Sequence, residues 1–276
     1  MNDSAGNELR FFDVAVSVNC ALGDEHHQKH LGEAKAILSS DAAIGESTLA
    51  GACISGNVAA VQRLLDSGES VDAQTGPGNW SPLVYCCFSR FLRDGETSAG
   101  VVDTARLLLE RGADANSYFM HDGNRECCLY GACGVANHPG MAELLLSHGA
   151  DPNDGETAYH VAEFEQHECI RVLLKHGMNA SSKATVLLRK LDFEDIEGVR
   201  LILDLGVDPN EPGIWAKSAL HQAIMRGRSV EMIQLLIDRG ADVNQLRGDG
   251  VSALQLAADA DRPEVLEILR TSGATG

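Results

Sequence analysis

Apolar residues in this chain gather in blocks of two or three, and each block is followed at a constant offset by glycine and then by polar residues. The fullest form is Leu235-Leu236-Ile237-Asp238-Arg239-Gly240-Ala241-Asp242-Val243-Asn244. Leu107-Leu108-Leu109 ahead of Gly112, Asp114 and Asn116 repeats it, as do Leu144 with Gly149, Asp151 and Asn153, and Leu201 with Gly206, Asp208 and Asn210. Weaker copies carry Leu64-Leu65 with Gly68, Leu173-Leu174 with Gly177, and Ile268-Leu269 with Gly273. Such a block buries the last turn of a helix. Glycine follows where the backbone turns left-handed, and Asp and Asn open a turn by accepting from nearby amides. The seven glycines lie 44, 37, 28, 29, 34 and 33 residues apart. A period near 33 predicts stacked supersecondary units, none of which buries its apolar face alone.

A second register precedes each block. Ser47-Thr48-Leu49, Ser81-Pro82-Leu83, Thr157-Ala158-Tyr159-His160, Ser218-Ala219-Leu220-His221 and Ser252-Ala253-Leu254 read as helix starts. Ser or Thr accepts from free amides of the first turn, and Pro82 occupies a first-turn position where a missing N–H costs nothing. Three residues past the anchoring Leu or Tyr stands a small side chain, at Ala52, Cys86, Ala132, Ala162, Ala223 and Ala257, which permits close helix approach. Each unit therefore reads as cap, short helix, turn, second helix and glycine stop.

At this point the chain resembles the ankyrin-repeat family, whose units start with Thr-Pro-Leu-His-x-Ala and end with Leu-Leu-x-x-Gly-Ala-Asp-x-Asn. The resemblance implies an all-α solenoid of paired antiparallel helices with finger loops, seven clear repeats over 46–276 and a divergent capping repeat over 8–45. Residues 1–7 are expected to be a disordered tail and 8–276 a single domain. Within the divergent repeat the apolar pattern predicts helices over 9–21 and 33–39, joined by a solvated loop carrying His26, His27 and His30. Repeat 6 departs from the pattern, because Val186-Leu187-Leu188-Arg189-Lys190 has no small residue where one is expected. Family resemblance further implies that a partner protein is bound by the concave side, built from finger loops and first helices, without an enzymatic step.

Composition narrows the partners. The 276 residues carry 40 acidic against 22 basic side chains, a formal net charge of -18, so a nucleic-acid backbone is excluded as the expected partner and a basic protein surface is favoured. No apolar run approaches a membrane span, and the first residues lack the form of a signal peptide. Most of the eight cysteines (Cys20, Cys53, Cys86, Cys87, Cys127, Cys128, Cys133 and Cys169) fall in or beside predicted helices, as small hydrophobes suited to a reducing, cytoplasmic setting. The expected state is a monomer.

The pattern is disturbed in repeats 3 and 4. An interval of 44 implies an insertion near 90–100, and the finger after Asn116 is lengthened over 117–125. Insertions in a solenoid mark the faces that work, because the scaffold has no folding need for them. The chain has only 13 aromatic residues. Seven of them, Trp80, Tyr85, Phe88, Phe91, Tyr118, Phe119 and Tyr130, crowd into 51 positions whose basic residues are all arginine. Aromatic and arginine enrichment is the composition of an interface hot spot. The candidate partner-binding residues are therefore Trp80, Tyr85, Arg90, Phe91, Arg93, Tyr118, Phe119, His121, Arg125 and Tyr130, centred on repeats 2–5. Packing within the helices competes as a reading of Tyr85, Phe88 and Tyr130.

Repeats 5 and 6 are short, so a shortened finger beside the lengthened one is expected to leave a notch, with His121, His138, His160 and His167 nearby. No nucleophile elbow, phosphate-cradling loop or His-Glu-x-x-His stands in the chain, and no cofactor or metal is expected. The carboxylates of Asp192, Glu194 and Asp195 read as a solvated turn. Two rival functions remain, a metal-dependent or enzymatic site in the His- and Cys-bearing groove of repeats 4–5, and weak self-association through the last repeat, which lacks a cap.

Overall fold

The computed structural model describes residues 4–18 and 23–275. The chain divides into two compact units, residues 1–160 and 161–276. Both are built of short helices in pairs, and the two strands belong to one hairpin.

In the first unit the pairs include Leu49–Ser55 with Val58–Asp66 and Pro82–Cys87 with Ser98–Glu110. Thr48 caps the first of these by accepting from the Gly51 N–H at 3.2 Å, and Asn57 caps the second by accepting from Ala60 at 3.1 Å. The second unit pairs Ala219–Met225 with Val230–Asp238 and Ala253–Asp259 with Pro263–Thr271. The small residues at 52, 86, 132, 162, 223 and 257 are all buried, as close helix contact requires. Gly112 and Gly240 adopt φ values of 95° and 91°, the left-handed backbone expected after the apolar block.

The Gly-Ala-Asp-x-Asn ending also joins neighbouring repeats. Asn116 donates to the Gly149 carbonyl at 2.9 Å and accepts from Asp151 N at 2.8 Å. In the second unit Asn210 does the same with Gly240 and Asp242, and Asn244 with Gly273 and Thr275. Asn179 is used differently. It caps the helix Ala180–Asp192 by accepting from Ser182 N at 2.8 Å, which accounts for the brief finger in repeat 6.

Several expectations change at the N-terminus. The first helix, α1, spans Ser4–Ala15, so residues 4–7 are helical and do not form a tail; residues 1–3 and 19–22, including Cys20, lie outside the described residues. The second helix, α2, spans Asp24–Ser40. Asp24 and Glu25 in its first turn favour the positive end of the helix dipole, and the run of histidines is thereby helical and not a loop. His27 is buried, with both ring nitrogens unpartnered among the described residues. Burial, then the charges of Arg93 and Arg90, hold its pKa down at about 4.

The insertion near 90–100 serves as the seat of this pair of helices. It forms a single turn of 3-10 helix, Arg90–Arg93. Phe11 meets Phe91 at 6.3 Å between ring centroids and Phe12 meets Tyr85 edge-on at 5.6 Å. Ser17 N donates to the Phe88 carbonyl at 2.9 Å, Lys35 pairs with Asp94 at 2.9 Å and Arg93 with Asp24 at 2.8 Å.

The second unit holds a second departure from the sequence reading. Asp192 and Asp195 are not in a solvated turn, since their side chains are only 9% and 19% exposed. Asp192 accepts from Arg189 at 2.6 Å, from Arg226 at 2.7 Å and from Gln222. Lys190, 1% exposed, donates to Asp195 at 2.6 Å and to the Phe164 carbonyl at 2.5 Å, and His167 meets the same Asp195 oxygen at 2.8 Å. A buried ammonium is tolerable only when paired and bonded in this way. Lys190 thus stands where other repeats bury a small residue, and the irregular sequence of repeat 6 is explained by charge pairing.

Candidate functional site

The lengthened finger is an antiparallel hairpin of β1, Tyr118–His121, and β2, Asn124–Cys127, paired Tyr118 to Cys127, Phe119 to Glu126, Met120 to Arg125 and His121 to Asn124. Its two-residue turn is Asp122-Gly123, with φ of 48° and 88°. Asp-Gly supplies the two positive φ angles that match a tight turn to strand twist. Because side chains alternate, the hairpin has two distinct faces. One carries Tyr118, Met120, Arg125 and Cys127. The other carries Phe119 and Glu126.

The first of these faces is presented to solvent. Tyr118 is 46% and Met120 59% exposed, and the Arg125 guanidinium lies 3.8 Å from the centre of the Tyr118 ring. A cleft of about 390 Å³ adjoins it, lined by Ala115, Asn116, Arg125, Cys127, Leu129, Asp151 and Asp154. Cys127 donates to Asp154 at 3.0 Å, and Asp154 also accepts from the Thr157 N–H and hydroxyl at 2.7 and 2.6 Å. Burial, followed by the nearby Asp154 charge, raises the Cys127 thiol well above its ordinary pKa. That holds it in the protonated, non-nucleophilic form.

The opposite face is packed. Phe119 is stacked on Trp80 with ring centroids 4.0 Å apart, and meets Phe88 edge-on at 5.0 Å; Phe88 in turn meets Tyr130 at 5.8 Å. A side chain at Gly131 would collide with the Phe88 ring at 2.7 Å, so glycine is required for this close approach. Trp80 itself closes a smaller finger, exchanging backbone bonds with Thr75 at 3.0 and 3.2 Å. Tyr85 fixes that finger from beneath by donating to the Thr75 carbonyl at 2.8 Å.

The ten residues singled out from the sequence therefore divide. Tyr118, His121 and Arg125 are exposed, Trp80 and Arg93 are half-buried, and Phe119 is covered by Trp80. Tyr85, Arg90, Phe91 and Tyr130 are buried. Tyr85 and Phe91 are occupied by Phe12 and Phe11 of α1, so part of the hot-spot composition has its partner within the chain. Met120 and Glu126 were not singled out, although the Asp-Gly turn and strict alternation place both. Among the described residues no group of three or more His, Cys, Asp or Glu side chains is positioned to hold a metal ion.

Comparison with known proteins agrees with this architecture. The sequence matches ankyrin repeats, in the form of a three-copy profile, over residues 97–184 and 187–275. The chain belongs to the ankyrin-repeat family. It is 31% identical over 196 residues to the transient receptor potential channel pyrexia of Drosophila melanogaster, covering 68% of this chain and 19% of the channel. Over 106 residues it is 39% identical to the ankyrin repeat, SAM and basic leucine zipper domain-containing protein 1 of Equus caballus, covering 37% of this chain and 19% of that protein. The chain thus spans about a fifth of the length of these relatives. Among solved structures, the human ASB11 ankyrin repeat domain superposes with a TM-score of 0.61 at 25% identity, covering 83% of this chain and 98% of that domain. Ankyrin repeats are in general protein-interaction modules. No described helix is long and apolar enough to cross a membrane.

Proposed function

We propose that this chain is a non-enzymatic module that binds a partner protein through the solvent face of the hairpin, as a monomer in the reducing cytoplasm. The observation that carries the reading is the placement of Tyr118, Met120 and Arg125 on a hairpin whose other face is locked by the Trp80–Phe119 stack. Large apolar side chains held in water by a rigid backbone lose little conformational entropy when a partner covers them. Tyrosine and arginine are the residue types that anchor such contacts. The finger loops and first helices of repeats 2–5 form the wider surface, and the net charge of -18 steers a basic partner toward it.

The test is affinity capture from lysate of the source organism, using the native chain and a Tyr118→Ala/Met120→Ala variant. Both side chains are exposed, so the variant should keep its stability to within about 0.5 kcal/mol. A protein retained by the native chain and released by the variant supports the reading. Equal retention by both places binding elsewhere.

A further inference from the structure

The packed face of the hairpin contains one group that packing does not explain. Glu126 is 5% exposed, and its Oε2 is buried without a hydrogen-bond partner among the described residues. Its backbone pairs with Phe119, so its side chain leaves the sheet on the Phe119 side, opposite Tyr118 and Arg125. The charges that act on it are those of Glu156, His121, His160 and Asp154. Around them lie aromatic rings, with His121 at 6.4 Å from Phe119, and His160 at 5.2 Å from Tyr130 and 4.9 Å from Tyr159. His160 Nε2 is 3.5 Å from a Glu156 oxygen.

An ionised carboxylate in such a place is destabilising unless a cation or a proton accompanies it. Burial first, and then the Glu156 charge, raise the Glu126 pKa above its ordinary value. Against Glu156 and Asp154 stand the imidazoles of His121 and His160, so no lysine or arginine is among the main charges that act on this carboxylate.

We infer that Glu126 receives a cationic side chain, arginine or lysine, from the bound partner protein. This deepens the proposed function and rests on it. Tyr118 and Met120 then supply contact area on one side of the hairpin, while Glu126, with Glu156 nearby, selects a basic residue on the other. Removing one half of a desolvated pair of this kind leaves the other charge buried and unpaired, so loss of the carboxylate weakens binding.

The probe is the blocked tripeptide acetyl-Gly-Arg-Gly-amide, with its uncharged citrulline counterpart, titrated into the full chain and followed by amide chemical shifts. Millimolar arginine peptide should move the resonances of Phe119, Glu126 and His160, while the citrulline peptide leaves them in place. Glu126→Gln should weaken the arginine response by at least about tenfold. This variant removes a buried charge, so its circular dichroism should match that of the native chain. Tyr118→Ala/Met120→Ala should keep the full arginine response. Equal shifts from both peptides, or an undiminished response in Glu126→Gln, would overturn the assignment. In lysate capture, loss of the partner with the Tyr118/Met120 variant but not with Glu126→Gln removes this inference and leaves the binding reading intact. An arginine response alongside unaltered capture by the Tyr118/Met120 variant keeps the Glu126 site and removes that reading.

Discussion

The indole of Trp80 lies flat on the ring of Phe119, with centroids 4.0 Å apart and planes 23° apart. Trp80 closes one finger and Phe119 belongs to the hairpin that forms the next. The stack is therefore a clamp between two loops, and a two-stranded hairpin is marginal without such support. Trp80→Ala should cost about 2 kcal/mol, below the roughly 3–5 kcal/mol of fully buried aromatic truncations because Trp80 is half-buried. Hydrogen exchange should accelerate across residues 118–127 and stay unchanged in the helix Val230–Asp238. Unaltered protection of the hairpin would show that it is held by other contacts.

Lys190 should be the most sensitive position in the second unit. Burial lowers its pKa, an effect that its bond to Asp195 partly offsets. Burial works to raise the Asp195 pKa, but bonds from Lys190, the Gly198 amide and His167 outweigh it and leave the carboxyl below its ordinary value. Lys190→Ala removes one half of a buried pair and opens a cavity beside it, for a loss of about 3 kcal/mol. Urea unfolding should show the midpoint falling with little change in slope, and an unchanged midpoint would mean that the pair contributes nothing.

Glu126 should shape the acid side of the stability profile. Its folded pKa lies above the ordinary value of 4.5, so the unfolded chain releases this proton first as pH rises. Stability contributed by the protonated carboxyl is present below 4.5. It is lost as pH rises toward the folded value, and does not return above it. Glu126→Gln should therefore be more stable than the native chain at pH 7, with the gain shrinking as pH falls through the folded value and levelling off below 4.5. Thermal melts across this range check the sign, and a variant less stable at neutral pH would contradict it.

How far the sequence carried the structure depends on which physics wrote each part. The repeat endings were legible, because a left-handed glycine and a turn opened by Asp114, Asp208 and Asp242 are local demands, whereas the bridges from Asn116, Asn210 and Asn244 to the next repeat are long-range and were not. The hairpin was legible in principle, since Asp122-Gly123 is a tight-turn signal, yet within a helical period it read only as a longer loop. Lys190 was not legible, because its partners Phe164 and Asp195 come from different segments and only the fold brings them together. The same holds for Phe91, whose aromatic character pointed to an interface. The fold supplies one, but to Phe11 of the same chain.

Site-directed photo-crosslinking reads directly whether a partner protein covers the solvent face of the hairpin. p-Benzoylphenylalanine placed at position 118 is compared with the same group at position 205, since Tyr118 and Leu205 are 46% and 48% exposed. In lysate, position 118 should give one discrete adduct, suppressed by Glu126→Gln, and position 205 none. Adducts of equal yield from both positions, or an adduct from position 205 alone, would contradict it.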